Sequence, residues 1–153
     1  MEKDERSNLH LAIGAEIQAL VTGHRALITA CAAEFHPDLQ PAAYQIALTI
    51  DRHGGCKTGE LASILDMDKS AVSRLTKSLS ENGLVTSRTD PSDGRGTIFE
   101  LSRQGRQNLE RSNTIKGEAF FARLADWSAQ EMTHFSTLLE KFNRSSHSTP
   151  KMK

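Results

Sequence analysis

Residues 60–105 read ELASILDMDKSAVSRLTKSLSENGLVTSRTDPSDGRGTIFELSRQG, and this stretch determines the fold. It predicts two short helices, the first capped by Thr58 and the second by Asp68, because Thr and Asp side chains accept hydrogen bonds from free backbone N–H groups. The second helix ends at Gly83, since glycine adopts the left-handed conformation that closes a helix. Two short helices joined through residues 66–68 are typical of a helix-turn-helix.

After Gly83 the period of the sequence changes from helical to extended. The runs 84–88 and 97–101 are rich in β-forming side chains, and the segment 90–96 between them is rich in Asp, Pro and Gly. Those three residue types form turns, so the pattern predicts a β-hairpin with an extended tip. Two helices followed by a hairpin make a winged helix-turn-helix.

On the N-terminal side, apolar residues recur every three or four positions over residues 9–35, which predicts one long helix that ends before Pro37. Its stripe comprises Ile13, Ile17, Leu20, His24, Leu27, Cys31 and Phe35. A second helix begins at Pro41, because proline fits the first helical turn, and it stops at Gly54. The predicted buried stripe of this second helix is Tyr44, Ala47, Leu48 and Ile50.

On the C-terminal side, Ser102 caps a long helix that runs to about Trp127. Ser128 and Glu131 have the spacing of a capping box, which predicts a last helix. Residues 143–153 are rich in Ser and Lys, and we expect them to be disordered. The sequence therefore predicts a single domain over residues 1–153 that is mostly α, with a small β-hairpin wing.

The charge of the chain is balanced only on average. Its 153 residues include 19 basic and 19 acidic side chains, so the net charge is zero, and the length suits one domain. Between Lys69 and Ser80, however, three side chains are basic and none is acidic. We find no apolar run long enough for a membrane span and no apolar segment of a signal peptide, so we expect a cytoplasmic protein that does not bind membranes.

The titratable residues do not form a recognisable reaction centre. Six histidines and two cysteines are present, but none of their spacings is a short metal-binding pair, so we predict neither a metal site nor a cofactor. The sequence also lacks a nucleophile–base pair and a phosphate-binding loop, which argues against an enzyme. Cys56 beside Lys57 leaves open a thiol with a lowered pKa, and Cys31 fits a small core residue.

The stretch from Thr58 to Gly105 resembles the winged-helix core of the MarR family of bacterial transcription regulators. Three motifs carry the resemblance: DKSAVSRL, ENGLV, and DPSDGRG followed by LSRQG. It implies a homodimer bound to double-stranded DNA, in which 9–35 and 102–142 are dimerisation helices and 41–101 is the DNA-binding lobe. It further implies a repressor that leaves a pseudo-palindromic operator when a phenolic or aromatic carboxylate ligand binds.

The resemblance assigns DNA contacts to the second helix and to the hairpin. Ser70, Ser73, Arg74 and Lys77 lie on the recognition helix, and their spacing places them opposite its apolar face, toward a major groove. Arg88 lies in the first strand of the hairpin. At the tip, Arg95 is expected to enter the minor groove, and Asp93 is expected to orient its guanidinium group.

The ligand site is less sharply indicated, and other functions stay open. His24, with Arg25 or His53, is a candidate for binding an anionic effector. A winged helix can also serve as a protein-interaction module that binds no DNA, although such a module does not need a basic recognition face. A thiol-based redox-sensing regulator is a further alternative.

Overall fold

A computed structural model describes residues 2–94 and 96–145 of the chain. Within these ranges the chain forms six helices and three short strands, so the predicted fold class, mostly α with a small β-hairpin wing, is confirmed. The elements in order are α1 (Glu2–Phe35), α2 (Pro41–His53), β1 (Cys56–Lys57), α3 (Thr58–Leu65), α4 (Lys69–Glu81), β2 (Val85–Thr89), β3 (Thr97–Leu101), α5 (Arg103–Leu124) and α6 (Ala129–Ser145).

The chain divides into two compact units, Met1–Lys116 and Gly117–Lys153. The first unit contains everything from α1 to the first half of α5, and the second contains the rest of α5 and α6. The predicted disordered tail, 143–153, begins too early, because α6 extends to Ser145. Residues 146–153 lie outside the described part of the chain.

The helix-turn-helix follows the predicted local signals closely. Asp66 adopts a left-handed conformation (φ 52°, ψ 48°) that ends α3, and the Asp68 carboxylate accepts a hydrogen bond from the Ala71 N–H at 2.9 Å. One cap differs from the prediction. Thr58 is the first residue of α3 rather than its cap, because the backbone N–H of Lys57 donates to the Glu60 carboxylate at 2.7 Å and closes the first turn from the other side.

The sheet has three antiparallel strands in the order β1-β3-β2. Val85 pairs with Leu101 on one side of β3, and Cys56 pairs with Phe99 on the other. The hairpin was predicted, whereas β1 was not, because a two-residue strand has no detectable period. β1 matters for the site because it carries Lys57 to the side of the hairpin.

The core of the first unit surrounds α2. Tyr44, Ala47 and Ile50 are fully buried, as predicted, and Leu48 is half-buried against the core. The rings of Phe35 on α1 and Tyr44 on α2 lie 5.6 Å apart between centroids. Burial of this α2 stripe is one part of the hydrophobic stabilisation of the unit, to which the other helices and the strands also contribute.

Polar contacts fix the C-terminal half of α1 against α5 in the first unit. The Asn108 amide donates to the Phe35 carbonyl at 2.8 Å, and the Ser112 hydroxyl donates to the Cys31 carbonyl at 2.9 Å. The N-terminal half of the predicted α1 stripe is different: Ile13 and Leu20 are each 52% exposed. The predicted helix is present and ends at Phe35, but it begins at Glu2 rather than at residue 9, and its stripe is fully buried only near the C-terminal end, at Cys31 and Phe35.

In the second unit, α6 begins with the predicted capping box. Ser128 donates to the Glu131 carboxylate through its N–H at 2.8 Å and its hydroxyl at 2.7 Å, and the Glu131 N–H donates back to the Ser128 hydroxyl at 3.2 Å. The predicted apolar stripe of α6 is exposed along its length, at Met132, Phe135, Leu138, Leu139 and Phe142.

None of the helices in residues 2–94 and 96–145 combines the length and the hydropathy that crossing a membrane requires.

Candidate nucleic-acid interface

The exposed face of α4 carries the four side chains predicted to read DNA. Ser70, Ser73, Arg74 and Lys77 are all exposed, while Val72, Thr76 and Leu79 of the same helix are buried. The helix is thus held by one face and presents hydroxyl and cationic groups from the other. Side chains of this kind bind phosphate oxygens and the edges of bases in a major groove.

Both ends of α4 are anchored, which fixes the direction of this face. Asp68 caps the N-terminus as described above. At the C-terminus, Gly83 takes a left-handed conformation (φ 69°), and the Leu84 N–H donates to the Leu79 carbonyl at 2.9 Å. The helix therefore passes directly into the first strand of the hairpin.

Arg74 and Lys77, the two cations of α4 that are predicted to contact DNA, have different surroundings. Lys77 forms an i,i+4 pair with Glu81 at 3.7 Å, but both side chains are highly exposed, so the pair is weak and leaves the ammonium group accessible. Among the described residues, no carboxylate oxygen lies within 4 Å of the Arg74 guanidinium. Both cations remain available to an anionic partner.

The hairpin wing brings Arg88 and Glu100 together. The Arg88 Nε donates to the Glu100 carboxylate at 2.7 Å across β2 and β3, so part of the Arg88 side chain is engaged within the wing. Asp93 is exposed at the tip. Arg95 lies outside the described residues, and the predicted Asp93–Arg95 pair stays a prediction.

At the base of the wing lies an ion pair that the sequence analysis missed. The Asp90 carboxylate is only 5% exposed and contacts the Lys57 ammonium. The ammonium group, followed by two hydrogen bonds from Ser92, holds the pKa of Asp90 well below its usual range, and Asp90 raises the pKa of Lys57. The Asp-Pro-Ser order signals the turn at Asp90, but no local pattern shows that Lys57 reaches it.

A cleft of about 400 Å³ lies beside the recognition helix in the first unit. It is formed by the α1–α2 connection, the start of α2, the α3–α4 turn and one side of α4. Leu39, Met67 and Leu75 give it apolar walls, and Arg74 and Asp38 supply charged groups. This size and mixture suit a small aromatic molecule.

The residues predicted to bind an effector do not line this cleft. His24, Arg25 and His53 are exposed side chains on α1 and at the end of α2. The cleft leaves no pattern in the sequence, because its walls come from segments whose proximity depends on tertiary folding. An anion-binding role for the three residues remains a prediction.

The two thiols are buried, whereas a redox-sensing thiol needs to be accessible to solvent. Both Cys31 and Cys56 are buried, and burial, with Glu60 as a second cause, raises the pKa of the Cys56 thiol. The lowered pKa that was left open for Cys56 is therefore contradicted, because burial and Glu60 both raise the pKa and the Lys57 ammonium group contacts Asp90 instead. Across the described residues, no three His, Cys, Asp or Glu side chains converge as a metal centre would require.

The chain is similar to proteins of one family. Residues 38–96 match the sequence model of the MarR family. A relative in Bacillus subtilis strain 168, the uncharacterized HTH-type transcriptional regulator YxaD, is 31% identical over 107 residues, which are 70% of this chain and 75% of the relative.

Two solved structures share the fold at lower identity. The MarR family transcription regulator SP03579 superposes with a TM-score of 0.79 at 18% identity, covering 95% of this chain and 94% of that one. A MarR variant from E. coli complexed with operator DNA superposes with a TM-score of 0.65 at 22% identity, covering 86% and 93%. The winged-helix architecture is common to all three chains.

Proposed function

This chain belongs to the MarR family of transcription regulators and is not an enzyme, and from that premise we propose that it is a dimeric repressor that binds a pseudo-palindromic operator in double-stranded DNA. The observation that carries the proposal is the exposed face of α4, with two hydroxyls and two cations on a helix anchored at both ends. The operator-bound E. coli relative supports it by analogy of fold.

Each recognition helix would read one half-site in the major groove. Arg74 can make a bidentate contact with guanine, Lys77 can bind phosphate, and Ser70 and Ser73 can bind either phosphate or base edges. The wing would place Arg95 in the neighbouring minor groove. Because the chain has no net charge, non-specific attraction is modest, and affinity depends on these few contacts.

A dimer accounts for the apolar surface that one chain leaves uncovered. The N-terminal half of α1 and the stripe of α6 expose large apolar side chains, a pattern that marks a contact surface. Two copies related by a two-fold axis would present their recognition helices about one turn of DNA apart, roughly 34–36 Å.

The effector would bind in the cleft beside α4. An aromatic ring fits against Leu39, Met67 and Leu75, and a carboxylate or phenolate oxygen can pair with Arg74. Because the Arg74 guanidinium cannot bind the ligand and a base at the same time, a phenolic or aromatic acid would lower the affinity for DNA. We propose that this exchange takes place in the cytoplasm.

Footprinting on the DNA that flanks the gene tests the function. We expect one protected site with two half-sites, and transcription from that promoter in vitro should fall as the protein is added. Arg74→Ala should weaken binding to the mapped site by about tenfold. Benzoate, used as an aromatic acid probe, should release the wild-type protein from the mapped site. Uniform weak binding to any duplex would contradict the proposal and favour a protein-interaction module.

Arg111→Ala provides the matched control. It also removes one guanidinium from the first unit, but Arg111 pairs with Glu34 on the α1–α5 side. Affinity for the mapped site should stay within about twofold of the wild type, a difference that corresponds to a few tenths of a kcal/mol.

A further inference from the structure

We propose that Lys57 and Asp90 form a brace that fixes the wing to the helix-turn-helix, and that both are positioning residues for DNA binding rather than DNA contacts. The role in DNA binding rests on the proposed function. The brace itself is a property of the free chain.

Asp90 is the centre of the brace. It follows β2 directly, and its side chain is 5% exposed while that of Lys57 is 38% exposed. One carboxylate oxygen accepts hydrogen bonds from the Ser92 N–H at 2.9 Å and the Ser92 hydroxyl at 2.8 Å, and the other contacts Lys57 Nζ. A buried carboxylate is costly without partners. The Ser92 turn and the Lys57 side chain are therefore held in position by their contacts with this carboxylate.

The same residue closes the tip of the wing. The Asp90 N–H donates to the Gly96 carbonyl at 2.8 Å, and the Gly96 N–H donates to the Asp93 carbonyl at 2.8 Å. Gly96 lies so near that a Cβ added there would be 3.2 Å from the Asp90 Cβ. Arg95 immediately precedes Gly96 in the sequence, so the loop that carries it is closed on Asp90.

Lys57 connects this loop to the other DNA-reading element. It lies in β1 opposite Ile98 of β3, and its backbone N–H donates to Glu60 in the first turn of α3. α3 continues through the Asp66 turn into α4. One ion pair thus links the wing loop to the start of the helix-turn-helix.

The brace fixes the position of the wing loop relative to the helix-turn-helix. In the proposed complex the wing and α4 would enter neighbouring grooves of the DNA. A wing that is already in position loses little conformational entropy on binding, whereas a loose wing must be ordered at the expense of affinity. Cutting the brace should therefore remove the contribution of the wing and leave recognition by α4 intact.

Asp90→Asn is the decisive variant, because the sign of its effect is diagnostic. Removing a negative charge near DNA ordinarily strengthens binding. A positioning role predicts the opposite, a loss of affinity of about tenfold on the mapped operator. In an Arg95→Ala background the same change should cost less than about twofold, because the contribution of the wing is already gone.

The matched controls are Glu81→Gln and Lys57→Arg. Glu81 is an exposed carboxylate paired with Lys77, so its amide variant should bind DNA as tightly as the wild type or more tightly. Lys57→Arg keeps the cation and should retain binding, whereas Lys57→Met should reproduce the loss seen for Asp90→Asn. Ser92→Ala serves as a milder cut if Asp90→Asn does not fold.

Amide hydrogen exchange on the free protein measures the brace without DNA. Exchange in residues 91–96 should rise in Asp90→Asn, and exchange in α4 should not. Unchanged exchange there, unchanged or tighter DNA binding, or a loss that adds in full to that of Arg95→Ala would each overturn the proposal. If the wild type protects no operator while the exchange result holds, the proposed function fails and the brace stands as a structural link only.

Discussion

Gly105, in the first turn of α5, has no room for a side chain. A Cβ at this position would lie 2.1 Å from the Leu84 carbonyl oxygen and 3.4 Å from a methyl carbon of Leu101. The Ser102 N–H also donates to the Leu84 carbonyl, at 3.0 Å, so the backbone there is held from two sides. The sequence alone marks Gly105 only as a weak helix former. The reason for it is the approach of α5 to the hairpin.

Gly105→Ala should lower the free energy of unfolding by about 3 kcal/mol, because backbone must move to admit the methyl group. Gly117→Ala in the same helix is the control, since nothing described lies within 4 Å of its added Cβ. That change should instead raise stability by about 1 kcal/mol through helix propensity. Denaturant unfolding of the two variants checks the opposite signs, and equal effects would contradict this account of Gly105.

Tyr44 has a buried hydroxyl that finds no hydrogen-bond partner among the described residues. The Cys31 thiol affects its pKa, but that thiol donates to the Ser112 carbonyl, at 3.6 Å, and makes no hydrogen bond of ordinary geometry with the tyrosine. Burial first, and then Cys31, raises the pKa of Tyr44 to about 12.

Burial disfavours the tyrosinate in the folded chain more than in the unfolded chain, so the free energy of unfolding falls as the pH rises from the unfolded pKa of Tyr44 through its folded pKa. The folded chain should therefore lose stability between about pH 10 and pH 12, and Tyr44→Phe should lose less. At pH 7 we expect this variant to be more stable by about 1 kcal/mol, since it removes an unpaired hydroxyl. Tyr44 is the only tyrosine, so tyrosinate absorbance reports its titration directly. A folded value near 10 would contradict the burial argument.

At the scale of elements, local signals identified most of the helix caps, with the start of α3 as the exception, because Glu60 rather than Thr58 closes its first turn. Asp68, Ser102 and the Ser128–Glu131 pair cap the helices that the sequence assigns to them. β1 and the Lys57–Asp90 pair were missed for the opposite reason. Each depends on residues far apart in the chain, and neither leaves a period or a spacing to detect.

The capping box of α6 makes a pH prediction. The Ser128 hydroxyl first, and then the Ser128 N–H, lowers the pKa of Glu131. A carboxyl with a lowered folded pKa stabilises the helix above its unfolded pKa, and the effect is lost as the pH falls through the folded value. Stability of α6 should therefore decline as the pH is lowered below the ordinary range of a glutamate.

An NMR titration of the Glu131 carboxyl tests this directly. Ser128→Ala should move the pKa of Glu131 back toward its ordinary value, while Ser136→Ala, on the same helix, should leave it in place. A Glu131 titration that is indifferent to Ser128→Ala would show that the cap does not form in solution.

At the scale of the whole molecule, the surface carries large apolar side chains that the core does not cover. Leu138 and Phe142 of α6 are 50% and 54% exposed, and the N-terminal half of α1 has a similar apolar surface. The sequence could identify both stripes from their period. It could not show which parts of each stripe are buried within its own unit, because that depends on how the helices pack.

We expect the protein to sediment as a dimer and its Tm to rise with protein concentration, as mass action requires. Leu138→Glu with Phe142→Glu should shift the mass to that of a monomer, because each substitution places a charge in a desolvated contact. Gln130→Glu adds a charge to an exposed polar position of the same helix and should leave the mass unchanged. A wild type that sediments as a monomer at every concentration would contradict the dimer.

The candidate site likewise has one part that the sequence predicts and one part that it does not. The resemblance assigns DNA contacts to Ser70, Ser73, Arg74 and Lys77, and their spacing predicts that they share one face of a helix. All four are exposed on α4, and their contacts with DNA stay a prediction. The cleft beside Arg74 was not found, since its walls come from the α1–α2 connection and α2 as well as from α4. The spacing of residues in the sequence predicts which side chains share a face of one helix. Only the folded structure shows which side chains from different segments line a cleft.

The three-stranded sheet also bears on how the protein behaves when it is crowded. Its two edges are β1, which is two residues long, and β2, which carries Arg88 and is followed by Asp90 and Pro91. Short, charged and proline-terminated edges are poor templates for adding a strand from another molecule. Self-association of this chain should therefore proceed through helix faces rather than through added strands, and the wing can project toward a partner without seeding cross-β aggregation.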